Sequence, residues 1–110
     1  MKLKKNFLLP KIISPNSTIS KYCKVGKGVQ VYNNVIINTD NLIGDFSVLN
    51  TGCIIEHDVV LKSNTHISTG VVINGGCVIG ENTFIGSGSI LRQNVHIKKN
   101  SFIKMMSKII

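Results

Sequence analysis

The residues of this chain able to do acid–base chemistry are few and gather near its middle. His57 stands between two carboxylates in Glu56-His57-Asp58, and His66 follows nine residues later in His66-Ile67-Ser68. A carboxylate beside an imidazole can hold it in one tautomer and raise its basicity, which a general base working near neutral pH requires. The same tripeptide also suits a solvated turn, so these residues alone leave both readings open. His96 has no acidic neighbour and reads as surface. Cys23, Cys53 and Cys77 are odd in number and lack Cys-x-x-Cys spacing, which argues against a disulfide framework or a zinc site. Histidines spaced by 9 and 30 residues give no ligand set either, so no metal is expected. Unpaired cysteines suit a reducing compartment, and a cytoplasmic location is expected.

What must position these residues is a repeat of six. An aliphatic residue recurs at every sixth place: Ile13, Ile19, Val25, Val31, Ile37, Ile43, Leu49, Ile55, Leu61, Ile67, Ile73, Ile79, Ile85, Leu91, Ile97, Ile103 and Ile109. Counting each as the first place of a hexad, the fifth place is small or β-branched throughout, with Asn41 the one exception. The second place is often glycine, as at Gly26, Gly44, Gly80 and Gly86, which suits a tight corner needing an unusual φ. A period of six is neither helical nor a plain alternation. It fits short strands joined by tight turns, with one large and one small side chain per hexad pointing inward.

Three such strands close a triangular coil of eighteen residues, and stacked coils bury the aliphatic column. The fold class expected is therefore all-β, a parallel β-helix of about five coils over residues 13–110, preceded by a linker-like segment over 1–12. The spacing fixes no hand. In this frame His57 takes the third place of its hexad, outward and near a corner. The cysteines take the small inward place and read as packing residues rather than nucleophiles.

Composition narrows the partners. Thirteen Lys and Arg against five Asp and Glu give a net charge of +8, which suits a polyanion or a phosphate-rich ligand. The aromatics are four Phe and two Tyr, scattered rather than interleaved with the basic residues, so nucleic acid is not expected. The apolar run Phe7-Leu8-Leu9 before Pro10 is too short for a signal peptide, and no membrane partner is expected.

The run from Ile13 to Ser89 resembles the β-helix domain of bacterial hexapeptide-repeat acyltransferases that act on sugars. That group includes sialic acid O-acetyltransferase and the UDP-amino-sugar N-acetyltransferases. The resemblance rests on Ile13-Ser14-Pro15-Asn16-Ser17, Asn50-Thr51-Gly52, Ile55-Glu56-His57-Asp58, His66-Ile67-Ser68, Gly75-Gly76, Ile79-Gly80 and Phe84-Ile85-Gly86. It implies a left-handed helix and an acetyl-CoA-dependent enzyme acetylating an amine or hydroxyl of a sugar, nucleotide sugar or sialic acid. It implies His57 as general base, with Asp58 increasing its basicity. His66, Gly86, Ser87 and Met105 are then expected to meet the acyl donor, and Asn50 and Glu56 the acceptor. Because His57 and His66 are half a coil apart, they should lie on opposite sides of one prism. A site using both has to form between copies, and a homotrimer is expected.

Two departures from the family shape a rival expectation. Its sugar enzymes carry a nucleotide-binding domain ahead of a linker resembling residues 7–13, where this chain begins. Near the other end, Ile103-Lys104-Met105-Met106 stands where the family has Gly-rich sequence, and the chain stops at Ile110 in mid-hexad. A truncated remnant, or a catalytically silent trimeric scaffold, is the alternative.

Overall fold

The computed structural model describes residues 9–110. Strands of two residues each follow one another in three parallel sheets. The first sheet contains β1 (Ile12–Ile13), β4 (Gln30–Val31), β7 (Val48–Leu49), β10 (His66–Ile67), β13 (Phe84–Ile85) and β16 (Phe102–Ile103). The second contains β2 (Thr18–Ile19), β5 (Ile36–Ile37), β8 (Ile54–Ile55), β11 (Val72–Ile73), β14 (Ile90–Leu91) and β17 (Lys108–Ile109). The third contains β3 (Lys24–Val25), β6 (Leu42–Ile43), β9 (Val60–Leu61), β12 (Val78–Ile79) and β15 (His96–Ile97). The chain visits the sheets in rotation, and every strand from β1 to β14 pairs with the one eighteen residues on, as in Ile12↔Gln30 and His66↔Phe84. The result is the all-β parallel β-helix of about five coils that the hexads predict.

The six-residue period works because the two strand residues divide the labour. The first points out and the second points in, so Leu49, Ile55, Leu61, Ile67, Ile73, Ile79, Ile85 and Leu91 are all but fully buried. Burying one such side chain contributes about 1.5–3 kcal/mol, and stacking adds one per hexad. Val29, Val35, Cys53, Val59, Val71 and Cys77 fill the space beneath the corners. Of the linker-like segment expected over 1–12, residues 1–8 lie outside the described residues. Leu9 already meets the first coil, its carbonyl accepting from Gly28 N at 3.2 Å.

The second-place glycines play a different part from the one expected. Positive φ belongs to the fourth place instead, taken by Asn34, Asp40, Asp58, Asn64, Asn82, Asn94 and Asn100, by glycines, and also by Phe46 and Met106. Asn and Asp tolerate that left-handed region better than other residues with a side chain. The second-place glycines answer a close approach between coils. A Cβ on Gly44 would sit 2.6 Å from the Lys62 carbonyl carbon and from Ser63 N, and one on Gly86 would collide with Met105 N. The corner of the following coil passes directly over each of them.

Candidate active site

Glu56-His57-Asp58 forms the corner between β8 in the second sheet and β9 in the third. The eighteen-residue register stacks Asn38-Thr39-Asp40 on one side of it and Asn74-Gly75-Gly76 on the other. Backbone bonds tie the stack together. Asp58 N donates to Thr39 O at 3.2 Å, Gly76 N to His57 O at 3.0 Å, and Asn94 N to Gly75 O at 2.9 Å. A polar corner is thus held on a scaffold whose spacing the buried column sets.

The His57 imidazole is exposed, and its Nδ1 lies 3.0 Å from Asp58 Oδ2. An ionised carboxylate only accepts, so Nδ1 carries the hydrogen and Nε2 presents its lone pair. Asp58 reaches back to the ring from a left-handed backbone, φ 56°. Glu56 does not share this contact, since its Oε1 accepts from Asn38 Nδ2 at 3.0 Å. Of the two flanking acids, only Asp58 is paired with the imidazole.

Gly75 makes room for the ring. A Cβ there would lie 2.5 Å from both Cε1 and Nε2 of His57, so the imidazole rests against the bare Cα of the next coil. An open cleft of about 450 Å³ runs from this ring along the corner, lined by Glu56, His57, Asp58, Asn74, Gly75, Gly76, Gln93 and Asn94. Another lies on the opposite side of the ring, where Thr18, Ser20, Asn38 and Thr39 join Glu56 and His57. His57 therefore sits at the boundary between two clefts along one edge of the prism.

His66 opens β10 on the outer face of the first sheet. Its ring centroid is 5.1 Å from that of Phe84, which stacks at 5.1 Å on Phe102. Beside this ladder is a mostly apolar cleft of about 310 Å³ lined by Phe84, Gly86, Ser87, Phe102, Lys104 and Met105. The structure thus gathers Gly86, Ser87 and Met105 in one cleft, with His66 next to it through Phe84. Asn50 follows β7 at the corner between the first and second sheets, in one column with Ser68 and Gly86. Its Oδ1 accepts from Thr51 N at 2.7 Å, within its own turn.

In a triangular coil, the corner carrying His57 faces away from the first sheet, which carries His66. The candidate residues therefore form two groups that do not meet within one copy: Glu56, His57 and Asp58 on one edge, and Asn50, His66, Gly86, Ser87 and Met105 on the opposite side. Sequence reasoning passed over Asn38, Asn74, Gln93 and Asn94 around His57 and Phe102 beside His66, and quoted Phe84 only as part of a motif, without a role. Each lies eighteen or thirty-six residues from a residue it did select, or from its neighbour. His96 is exposed on the third sheet. Among the described residues no group of three or more His, Cys, Asp or Glu could hold a metal ion.

The cysteines are free and sit in the small inward place. Burial pushes the Cys53 thiol up to about 12, against a weaker lowering by a backbone hydrogen bond. Burial likewise raises the Cys77 thiol, although backbone hydrogen bonds oppose it. Such thiols stay protonated and are poor nucleophiles near neutral pH.

Comparison with known proteins agrees with the repeat and the fold. The bacterial transferase hexapeptide family (six repeats) matches residues 76–110, past both His57 and His66. No curated protein matches the sequence. The acetyltransferase domain of PglB from Neisseria gonorrhoeae superposes with a TM-score of 0.94 at 28% identity, covering 96% of this chain and 51% of that one. The same domain in complex with acetyl coenzyme A gives 0.90 at 28% identity, over 94% and 53%. PerB from Caulobacter crescentus, in complex with CoA and GDP-perosamine, gives 0.90 at 30% identity, over 94% and 50%. The chain spans about half the length of these structures. It carries the transferase hexapeptide repeat on the fold of these acetyltransferase domains, and its resemblance to the hexapeptide-repeat sugar acetyltransferases is borne out.

Proposed function

We propose that this chain is the catalytic β-helix of an acetyl-CoA-dependent acetyltransferase whose acceptor is an amine or hydroxyl of a sugar or nucleotide sugar. The observation that carries the reading is the His57–Asp58 pair, 3.0 Å apart, on an open edge, with no partner for Nε2 among the described residues. His57 Nε2 takes the acceptor's proton as the nitrogen or oxygen attacks the thioester carbonyl. Asp58 holds the imidazole in the required tautomer and steadies the cation that forms. Nearby N–H groups hold the oxyanion, the carbon–sulfur bond then breaks, and the proton returns from His57 to the departing CoA thiolate. The matched structures contain acetyl-CoA, or CoA with GDP-perosamine, which supports an acyl donor and a nucleotide-sugar acceptor of that kind.

The donor's place in this reading is the cleft beside His66. Phe84, Phe102 and Met105 offer apolar walls to the pantetheine arm, Gly86 and Ser87 bring backbone close to it, and Lys104 offers a charge to the phosphates. Asn50 and Glu56 contact the acceptor. Since this cleft faces away from His57, the site forms between copies, His57 from one and His66 from its neighbour, in a cyclic homotrimer. The outer face of the second sheet supports such packing, because Ile36, Ile54, Val72 and Ile90 give it an aliphatic column from coil to coil. Its three free thiols suit the reducing cytoplasm of a bacterium.

A second reading, a catalytically silent trimeric scaffold, draws on the bulk of Lys104 and Met105 at the mouth of the donor cleft. One assay separates the two: thiol release from acetyl-CoA with GDP-perosamine, a UDP-4-amino sugar and free sialic acid as rival acceptors. His57→Ala should lower turnover by roughly 10²–10⁴ while leaving the assembly intact. Undiminished turnover in that variant removes His57 from the mechanism. No turnover in the parent with any acceptor favours the scaffold.

A further inference from the structure

Asn41, the exception in the fifth place, lies one coil before the His57 corner and is fully buried. Among the described residues, six corners of this helix close on themselves. The fifth-place N–H donates to the carbonyl three residues earlier, as in Ser17 to Ser14 at 3.1 Å, Cys23 to Ser20 at 3.2 Å and Cys53 to Asn50 at 3.2 Å. At the His57 corner the corresponding bond would run from Val59 N to Glu56 O. Instead Val59 N donates to Asn41 Oδ1 at 2.7 Å, and Asn41 Nδ2 donates to Glu56 O. The same Nδ2 also donates to Asn38 O at 3.0 Å. A planar carboxamide thus stands in the mouth of the turn, and only His57 and Asp58 lie between the two backbone groups it joins.

A buried carboxamide is costly in an apolar interior unless its donors and acceptor are all used, as they are here. Packing alone does not call for it, because Cys23, Val59, Cys77 and Val95 fill the equivalent places in the same column. Hydroxyls make a looser version of the bridge at other corners. Ser89 Oγ, for example, accepts from Ser107 N at 3.2 Å and donates to Lys104 O at 3.1 Å. The carboxamide differs in having its donor and acceptor on separate atoms of one rigid plane, so it holds both ends of the turn at once. We infer that Asn41 is a positioning residue: it touches no substrate but fixes the turn from which the His57–Asp58 pair is presented. This rests on the reading of His57 as the general base.

The test uses the full chain with Asn41→Val, which removes the bridge, and Asn41→Ser, which keeps a hydroxyl bridge. Long-range proton–nitrogen NMR of the His57 ring reports its tautomer and titration without any substrate. In folded Asn41→Val the ring should lose its uniform Nδ1–H form, kcat should fall roughly tenfold or more, and KM for acetyl-CoA should hold. The pH profile of kcat should move with the altered titration, and Asn41→Ser should fall between parent and valine variant. An unchanged His57 tautomer and titration in folded Asn41→Val overturns the inference, as does a kcat that falls only in step with the folded fraction. If Asn41→Val does not fold, Asn41→Ser decides by the same readings. Should His57→Ala prove fully active, the functional reading fails while the NMR reading still decides what Asn41 does.

Discussion

A ring that rests on a bare Cα is sensitive to a single added carbon. Gly75→Ala would place a methyl 2.5 Å from two atoms of the His57 imidazole, and the backbone there shows no left-handed strain to bar alanine. The ring is the movable partner, so the fold should hold, with stability within about 1 kcal/mol of the parent. Turnover should drop by roughly 10²-fold because the base leaves its line to the acceptor. Thermal unfolding and kcat measured on one preparation check both halves. A loss of both together would mean that Gly75 serves the coil rather than the ring. At this scale the sequence showed the dyad but not its supports. His57 and Asp58 adjoin in the chain, whereas Gly75 and Asn41 reach them only through stacking, at offsets that mean nothing until the coil length is known.

Within each hexad, the inward places were legible because burial demands one kind of side chain at one spacing. The corner was not, because two demands meet there. Left-handed backbone selects the fourth place, and close passage of the next coil selects glycine at the second. Both favour glycine, so composition alone could not separate them, and the φ requirement was assigned to the wrong place. The inward ladder makes a pH prediction. Cys53 titrates near 9 when unfolded and about 12 when buried, so the folded state holds its proton longer. The stability this contributes is fully present below pH 9 and is lost as pH rises through 12. Cys53→Val, a residue the ladder already uses at Val59 and Val71, should flatten that alkaline loss in denaturant titrations between pH 9 and 12. An unchanged slope would show that the thiol is not the group responsible.

Across the molecule, one triangular cross-section separates the two groups of candidate residues. His57 stands on the edge between the second and third sheets, and the aromatic ladder with its cleft lies on the first sheet opposite. The nine-residue spacing anticipated this opposition, because half of eighteen residues is half a turn of any prism. What the spacing could not supply was the cleft itself, since Phe84 and Phe102 join His66 only when coils stack in register. The central claim, that His57 of one copy works with His66 of the next, is tested most directly by mixing two crippled variants. His57→Ala and His66→Ala, each nearly inactive alone, are co-assembled in equal amounts and assayed for thiol release from acetyl-CoA. In a cyclic trimer about a quarter of the interfaces then pair an intact His57 with an intact His66, and about a quarter of the parent activity should return. A mixture no more active than the variants alone would contradict a shared site.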